Sequence, residues 1–114
     1  MERVFKLLED FGLSQEGAKV YIYMAKTRPQ KTKELAVGLK MSEHKIQPVL
    51  NRLREKGVVT SNSERPIVFS ALAFEDLLNL CIKVNMEHAQ IIRESKEELL
   101  NAWRYITAKR DTQF

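Results

Sequence analysis

The chain of 114 residues contains one cysteine, Cys81, so no internal disulfide can form and no pair of thiols can share a zinc ion. A lone cysteine also suits a reducing compartment, and Cys81 reads as a small core residue. Histidine is nearly as scarce: His44 and His88 lie far apart in sequence and offer no ligand cluster and no base for a nucleophile. The four glycines, at 12, 17, 38 and 57, form neither a P-loop nor a dinucleotide fingerprint. These absences argue against an enzyme, and neither cofactor nor metal is expected. No apolar run approaches the roughly 20 residues that span a bilayer. The opening MERVFKLLED lacks a signal-peptide pattern, so a cytoplasmic protein with no membrane partner is expected.

What is present is an ordinary globular composition, 44% hydrophobic and 30% charged, enough for one domain with a modest core and an appended helix. The net charge of +4 is small, but its placement is uneven. Between Lys26 and Lys56 stand nine basic and three acidic residues, a net of +6, while the segments on either side are each slightly acidic. A local excess of this kind is the footprint of a phosphate-binding surface.

That basic segment contains TKELAVGLKMSEHKIQPVLNRLREKGVV, Thr32 to Val59, which reads as two helices joined by a tight turn. In the second helix Ile46, Val49, Leu50 and Leu53 recur at the spacing of one buried stripe. Ser42 can cap its start, and Gly57 can end it in a left-handed conformation. Thr32 is expected to cap the first helix, whose Leu35, Ala36 and Leu39 face the same core, with Glu34 in the first turn where the helix dipole favours an acid. Opposite the buried stripe lie His44, Pro48, Asn51 and Glu55, flanked by Lys45, Gln47 and Arg52. Cationic and amide side chains there are what a major groove accepts: phosphates attract Lys and Arg, and base edges pair with Asn, Gln and Arg.

Upstream, Val4, Phe5, Leu7, Leu8 and Phe11 give a first helical face that Gly12 interrupts. Ser14 is the expected cap of the next helix, with Leu13 as a hydrophobic staple and Ala18, Tyr21, Ile22 and Ala25 as its buried stripe. Tyr21 and Tyr23 read as packing residues; together with Met86 they are also the residues expected to line any effector cleft, although no effector is specified. Pro29 stops this helix, leaving room for a short strand. Downstream, GVVTSN and RPIVFSA flank a polar turn at Asn62, Ser63 and Glu64, the pattern of a hairpin. A hairpin directly after a recognition helix is a wing, and Arg65 near its tip is placed to enter a minor groove.

From Phe74 onward neither glycine nor proline occurs, so one helix can run to about Ala108. Stepping by four and three from Leu78 gives Leu78, Ile82, Asn85, Ala89, Ile92, Lys96, Leu99, Trp103 and Ile106, a coiled-coil-like seam. Asn85 is expected to fix register in it, and Trp103 to anchor a dimer. The expected architecture is therefore mainly α with a small β-hairpin: a winged helix-turn-helix over residues 1–73, then a long C-terminal dimerisation helix over residues 74–114.

The ordered set GLSQEGAKVYIYMAK, RPQKTKELA, MSEHKIQPVLNRLREKGVV and ERPIVFSALAFEDLL resembles the N-terminal DNA-binding domain of the TrmB family of archaeal transcription regulators, over about residues 3 to 80. The resemblance implies a winged helix that binds operator DNA as a homodimer, with Glu43 to Arg52 entering the major groove. Three departures stand out. Gly17 replaces a usual acid and removes the capping-box partner of Ser14. Pro48 lies inside the recognition helix, where it is expected to kink or delay it and to compromise groove contacts by Glu43 and His44. Longer members carry a C-terminal sugar-binding domain, so no sugar specificity carries over to these residues.

The candidate DNA-contacting set is thus Thr32, Lys33, Ser42, Glu43, His44, Lys45, Gln47, Pro48, Asn51, Arg52, Arg54 and Arg65, with double-stranded DNA as partner. Lys45, Arg52 and Arg54 are assigned to phosphates, and Gln47 and Asn51 to bases. Two other readings of the same fold remain: an architectural DNA coater with little base readout, and a winged helix used only for protein contacts.

Overall fold

A computed structural model describes the backbone of residues 2–112 and the side chains of residues 2–108. Met1 and residues 113–114, which the expected domain ranges include, lie outside the described residues. Along the chain run α1 (Glu2–Asp10), α2 (Gln15–Lys26), α3 (Thr32–Leu39), α4 (Glu43–Glu55), β1 (Val59–Ser61), β2 (Phe69–Ala71) and α5 (Phe74–Thr112). The class is the expected one, mainly α with one hairpin and a long last helix. The chain divides into two units, Met1–Leu78 and Asn79–Phe114, so α5 contributes its first turn to the first unit.

Three helices of the first unit end by one device, in which a left-handed residue lets its own amide and the next one satisfy free carbonyls of the last turn. After α1, Gly12 (φ 103°) and Leu13 donate to Glu9 and Leu8 at 2.9 and 3.0 Å. After α4, Gly57 (φ 83°) and Val58 donate to Arg54 and Leu53 at 3.0 and 3.1 Å. After α3 the same place is held by Lys40 (φ 57°), whose amide and that of Met41 donate to Val37 and Ala36 at 3.2 and 2.9 Å. The residue after each left-handed position is apolar, with Leu13 and Val58 buried and Met41 half-buried. Lys40 lacks a glycine's freedom, so this turn of the helix-turn-helix carries about 1–2 kcal/mol of backbone strain.

The helix starts agree with the sequence at two positions and differ at a third. Ser14 Oγ accepts from Gly17 N at 2.9 Å, and Ser42 Oγ from Lys45 N at 3.2 Å. Thr32, however, is not the cap of α3. Lys31 occupies that place, and the Glu34 carboxylate reaches back to accept the Lys31 amide at 2.9 Å, which leaves Thr32 as the first helical residue with its hydroxyl free to act elsewhere. Nor does Pro48 delay α4, which begins at Glu43. Proline removes only the bond to the His44 carbonyl, while the Ser42 cap and the burial of Ile46 and Val49 hold the first turns.

The core of the first unit is built from Leu8, Leu13, Ala18, Val20, Tyr21, Met24, Leu35, Ile46, Leu50, Leu53, Val58, Phe69 and Leu77. The α4 stripe is buried as expected, at Ile46, Val49, Leu50 and Leu53. The α2 stripe is rotated from its expected phase: Gly17, Val20 and Met24 join Ala18 and Tyr21 inside, whereas Ala25 is exposed and Ile22 half-buried. Gly17 is buried on that edge, where an added Cβ would lie 3.2 Å from Ser14 Oγ and in ordinary contact 3.5 Å from Leu53 Cδ2 of α4. A second close approach joins α3 to α2, where the Tyr23 ring covers Gly38 so tightly that a Cβ at Gly38 would stand 2.6 Å from Tyr23 Cζ.

In the wing, Val59 pairs with Ala71, Thr60 with Ser70 and Ser61 with Phe69, antiparallel. Gln30 adds an isolated bridge to Phe69, exchanging two backbone bonds at 3.1 and 2.8 Å, so that a single bridging residue stands where a short strand was expected after Pro29. The second strand starts later than RPIVFSA suggested. Pro66 has no N–H to give, and Asn62 folds across the loop, accepting from Val68 N at 2.7 Å and donating to Pro66 O at 3.2 Å. Tyr21 Oη donates to Leu72 O at 2.7 Å, tying α2 to the segment that leaves the wing.

The second unit continues α5 without interruption, with Gln90 Nε2 donating to Glu94 Oε1 at 2.8 Å one turn away. Its seam is exposed along its length: Ile82, Ile92, Leu99, Trp103 and Ile106 are each more than half accessible. Cys81 is buried, and desolvation pushes its thiol pKa up, keeping it protonated and consistent with a packing residue. No helix among the described residues is long and apolar enough to cross a membrane.

Candidate nucleic-acid interface

With its stripe buried, α4 turns two flanks and an outer edge to solvent. At about 100° per residue, Arg52 and Lys45 lie on one flank, Gln47 and Arg54 on the other, and His44, Pro48, Asn51 and Glu55 between them. The three cations assigned to phosphates are therefore divided across the helix rather than clustered. On the first flank Lys45 and Arg52 share an open groove with Ser14, Gln15, Glu16 and Lys19 at the start of α2. Glu43 and His44 stand exposed in the first turn of α4, Lys33 is exposed on α3, and Arg65 is exposed in the loop of residues 62–68. Lys56 is already engaged, its ammonium 3.4 Å from the Phe11 carbonyl and 5.7 Å from the Phe11 ring centroid.

The second flank carries a continuous run of side-chain hydrogen bonds. Thr32 Oγ1 donates to Gln47 Oε1 at 3.2 Å, and Gln47 Nε2 donates to Asn51 Oδ1 at 3.1 Å. Arg54 donates through Nη2 to the same Asn51 Oδ1 at 3.4 Å and through Nη1 to Ser61 Oγ at 3.3 Å, while its guanidinium lies 5.9 Å from the Phe69 ring centroid. Five residues of α3, α4 and β1 are thus linked, and four of them were candidates from the sequence. Ser61 and Phe69 were not. The one available signal was spacing, since Gln47, Asn51 and Arg54 follow one another by four and three residues; the partners at either end come from other elements.

Tyr21 and Tyr23 take no part in this surface. Tyr21 is 1% exposed, and burial raises its hydroxyl pKa above the ordinary 10.0. Tyr23 lies over Gly38, while Tyr21 lines an open, mainly apolar pocket with Val4, Ile22, Ala25, Lys26 and Phe74. Among the described residues no group of three or more His, Cys, Asp or Glu side chains can hold a metal.

Residues 8–75 match the family model described as "Sugar-specific transcriptional regulator TrmB". No curated protein matches in sequence. Among solved structures, a possible transcriptional regulator from Methanosarcina mazei Go1 is similar with a TM-score of 0.63 at 17% identity, over 85% of this chain and 86% of that one. A transcriptional regulator from Thermotoga maritima gives 0.55 at 17% identity over 96% and 85%. A MarR family protein from Bacillus stearothermophilus gives 0.55 at 10% identity over 98% and 82%. At these identities the likeness is one of fold: a winged helix followed by a long helix.

Proposed function

The chain belongs to the TrmB family of transcriptional regulators, and we propose that in this role it binds operator DNA as a homodimer, with α4 in the major groove and the wing beside it. The observation that carries the reading is the solvent-facing side of α4. Cations occupy both flanks, where the two phosphate backbones of a groove would pass, and Asn51 stands on the outer edge with Gln47 on the flank beside it. Lys45 and Arg52 contact phosphates on one flank and Arg54 on the other, with Thr32, Lys33 and Ser42 supporting them. Glu43, His44 and Pro48 face the groove from the first turns, and Arg65 extends the wing toward the minor groove. The apolar seam of α5 from Leu78 to Ile106 pairs with that of a second copy. A two-fold dimer places its recognition helices about one helical turn apart, so the operator is an inverted repeat with half-site centres roughly 10 base pairs, or a multiple, apart.

Paired salt titrations on a preferred and a scrambled duplex test this. Losing Lys45 or Arg52 weakens both duplexes alike and flattens the salt dependence by about one unit per contact. Losing Gln47 or Asn51 costs about 1–3 kcal/mol on the preferred duplex and much less on the scrambled one. Equal losses on both duplexes for the amide variants would reject base readout and favour the architectural reading. Absence of any DNA affinity would favour a winged helix used for protein contacts.

A further inference from the structure

We infer that Arg54 sets the hydrogen-bond polarity of the recognition face, so that Asn51 reads acceptors and prefers guanine to adenine at the base it meets. This rests on the proposed placement of α4 in a major groove. A guanidinium carries only donors, so the Asn51 atom turned toward Arg54 Nη2 at 3.4 Å must be the amide oxygen. That oxygen also faces Gln47 at 3.1 Å, which therefore must present its nitrogen there and turn its own oxygen toward Thr32, whose hydroxyl donates. Every other member can run in either sense. Threonine and serine hydroxyls both donate and accept, and two paired amides can flip together. Arg54 alone breaks the symmetry, and it is held by Ser61 Oγ at 3.3 Å and by the face of Phe69.

The outward consequence is chemical. Asn51 Oδ1 already accepts two bonds, while its Nδ2 hydrogens have no partner among the described residues. Gln47 Oε1 accepts from Thr32, which leaves one Nε2 hydrogen. Both amides present donors. The bidentate pairing of an amide with adenine needs an oxygen for N6–H and a nitrogen for N7, and Asn51 has no oxygen to offer. Guanine presents N7 and O6 side by side, two acceptors for two donors.

The test uses the full chain and its preferred duplex, with each base pair varied in turn. Asn51→Ala identifies the position Asn51 reads, as the one whose discrimination collapses. There the unaltered protein prefers guanine over adenine by about tenfold. Arg54→Met frees the amides to flip, so that ratio falls to within about threefold while other positions keep theirs. Glu9→Gln, exposed on α1 and outside this face, leaves the guanine preference in place, and a urea melt of Arg54→Met matching that of the unaltered protein excludes a trivial loss of folding. Adenine at the Asn51 position overturns the inference, as does an Arg54→Met protein that weakens on every duplex alike with its preference intact. Sequence-blind binding by the unaltered protein would instead remove the base-reading function itself, and the inference with it.

Discussion

The two units have comparable apolar side chains and opposite fates for them. Of the seventeen buried hydrophobic residues among the described ones, sixteen lie at or before Leu77, whereas eight of the twelve exposed large ones lie at or beyond Ile82. In the first unit the α4 stripe and most of that of α2 are buried within the chain, because short helices with firm ends can fold onto one another. From Asn79 to Thr112 the described residues form a single helix, and one helix cannot bury its own stripe. The contrast teaches that the winged unit carries its stability internally, while the seam of α5 gains its stabilisation from what it pairs with, which we take to be a second copy.

The sharpest way to break that contrast is to truncate both kinds of residue. Trp103→Ala combined with Leu99→Ala should raise the dimer dissociation constant about a thousandfold, since large apolar anchors contribute on the order of 2 kcal/mol or more each. Light scattering measures it, and a monomer mass for the unaltered protein at high micromolar concentration would remove the claim. Leu50, with 0% exposure at the centre of the α4 stripe, gives the opposite result. Leu50→Ala should destabilise the winged unit by about 3 kcal/mol at any protein concentration, read by urea denaturation. A concentration-dependent loss for Leu50→Ala would mean that the two units do not differ as argued.

How far these fates were legible follows from the physics of each feature. The α4 stripe, its Ser42 cap and its Gly57 ending were readable because periodicity, hydroxyl and glycine each act within a few residues of the place they determine. The phase of α2 was not, because Gly17 reads locally as a weak helix former, whereas in the fold it is buried on the edge beside Leu53 of α4. Thr32 looked like a cap, and the Glu34 contact to Lys31 displaced it by one residue. At the site, spacing could place Gln47, Asn51 and Arg54 on adjoining positions of one helix. It could not supply Thr32 and Ser61 as end partners, which are 15 and 7 residues from their contacts.

A smaller effect probes how the winged unit is closed. Tyr21→Phe should cost about 1 kcal/mol at neutral pH, by leaving the Leu72 carbonyl without its donor. The folded state holds the tyrosine hydroxyl pKa above 10.0, so this contribution is fully present below pH 10.0 and is lost as pH rises through the raised value. The deficit of the variant should therefore narrow in strongly alkaline solution, as followed by urea titrations across that range. A gap that stays constant would show that burial of the hydroxyl is not linked to its ionisation.

The smallest effect concerns the left-handed helix ending that is made without glycine, after α3. At Lys40 (φ 57°) the left-handed backbone costs about 1–2 kcal/mol, and glycine would relieve it while adding about 0.5–1 kcal/mol of entropy to the unfolded chain. Lys40→Gly should consequently stabilise the winged unit by roughly 0.5–1 kcal/mol. Gly57→Ala, at the equivalent place after α4 (φ 83°), should shift stability the other way by about 1 kcal/mol or more. Thermal melts of the two variants measured side by side check the sign. If Lys40→Gly destabilises, then the lysine side chain contributes more to the α3–α4 turn than its backbone strain removes. If the gain appears but DNA affinity falls on all duplexes alike, Lys40 holds a phosphate, and the strain at this turn is retained because the position serves the nucleic acid rather than the fold.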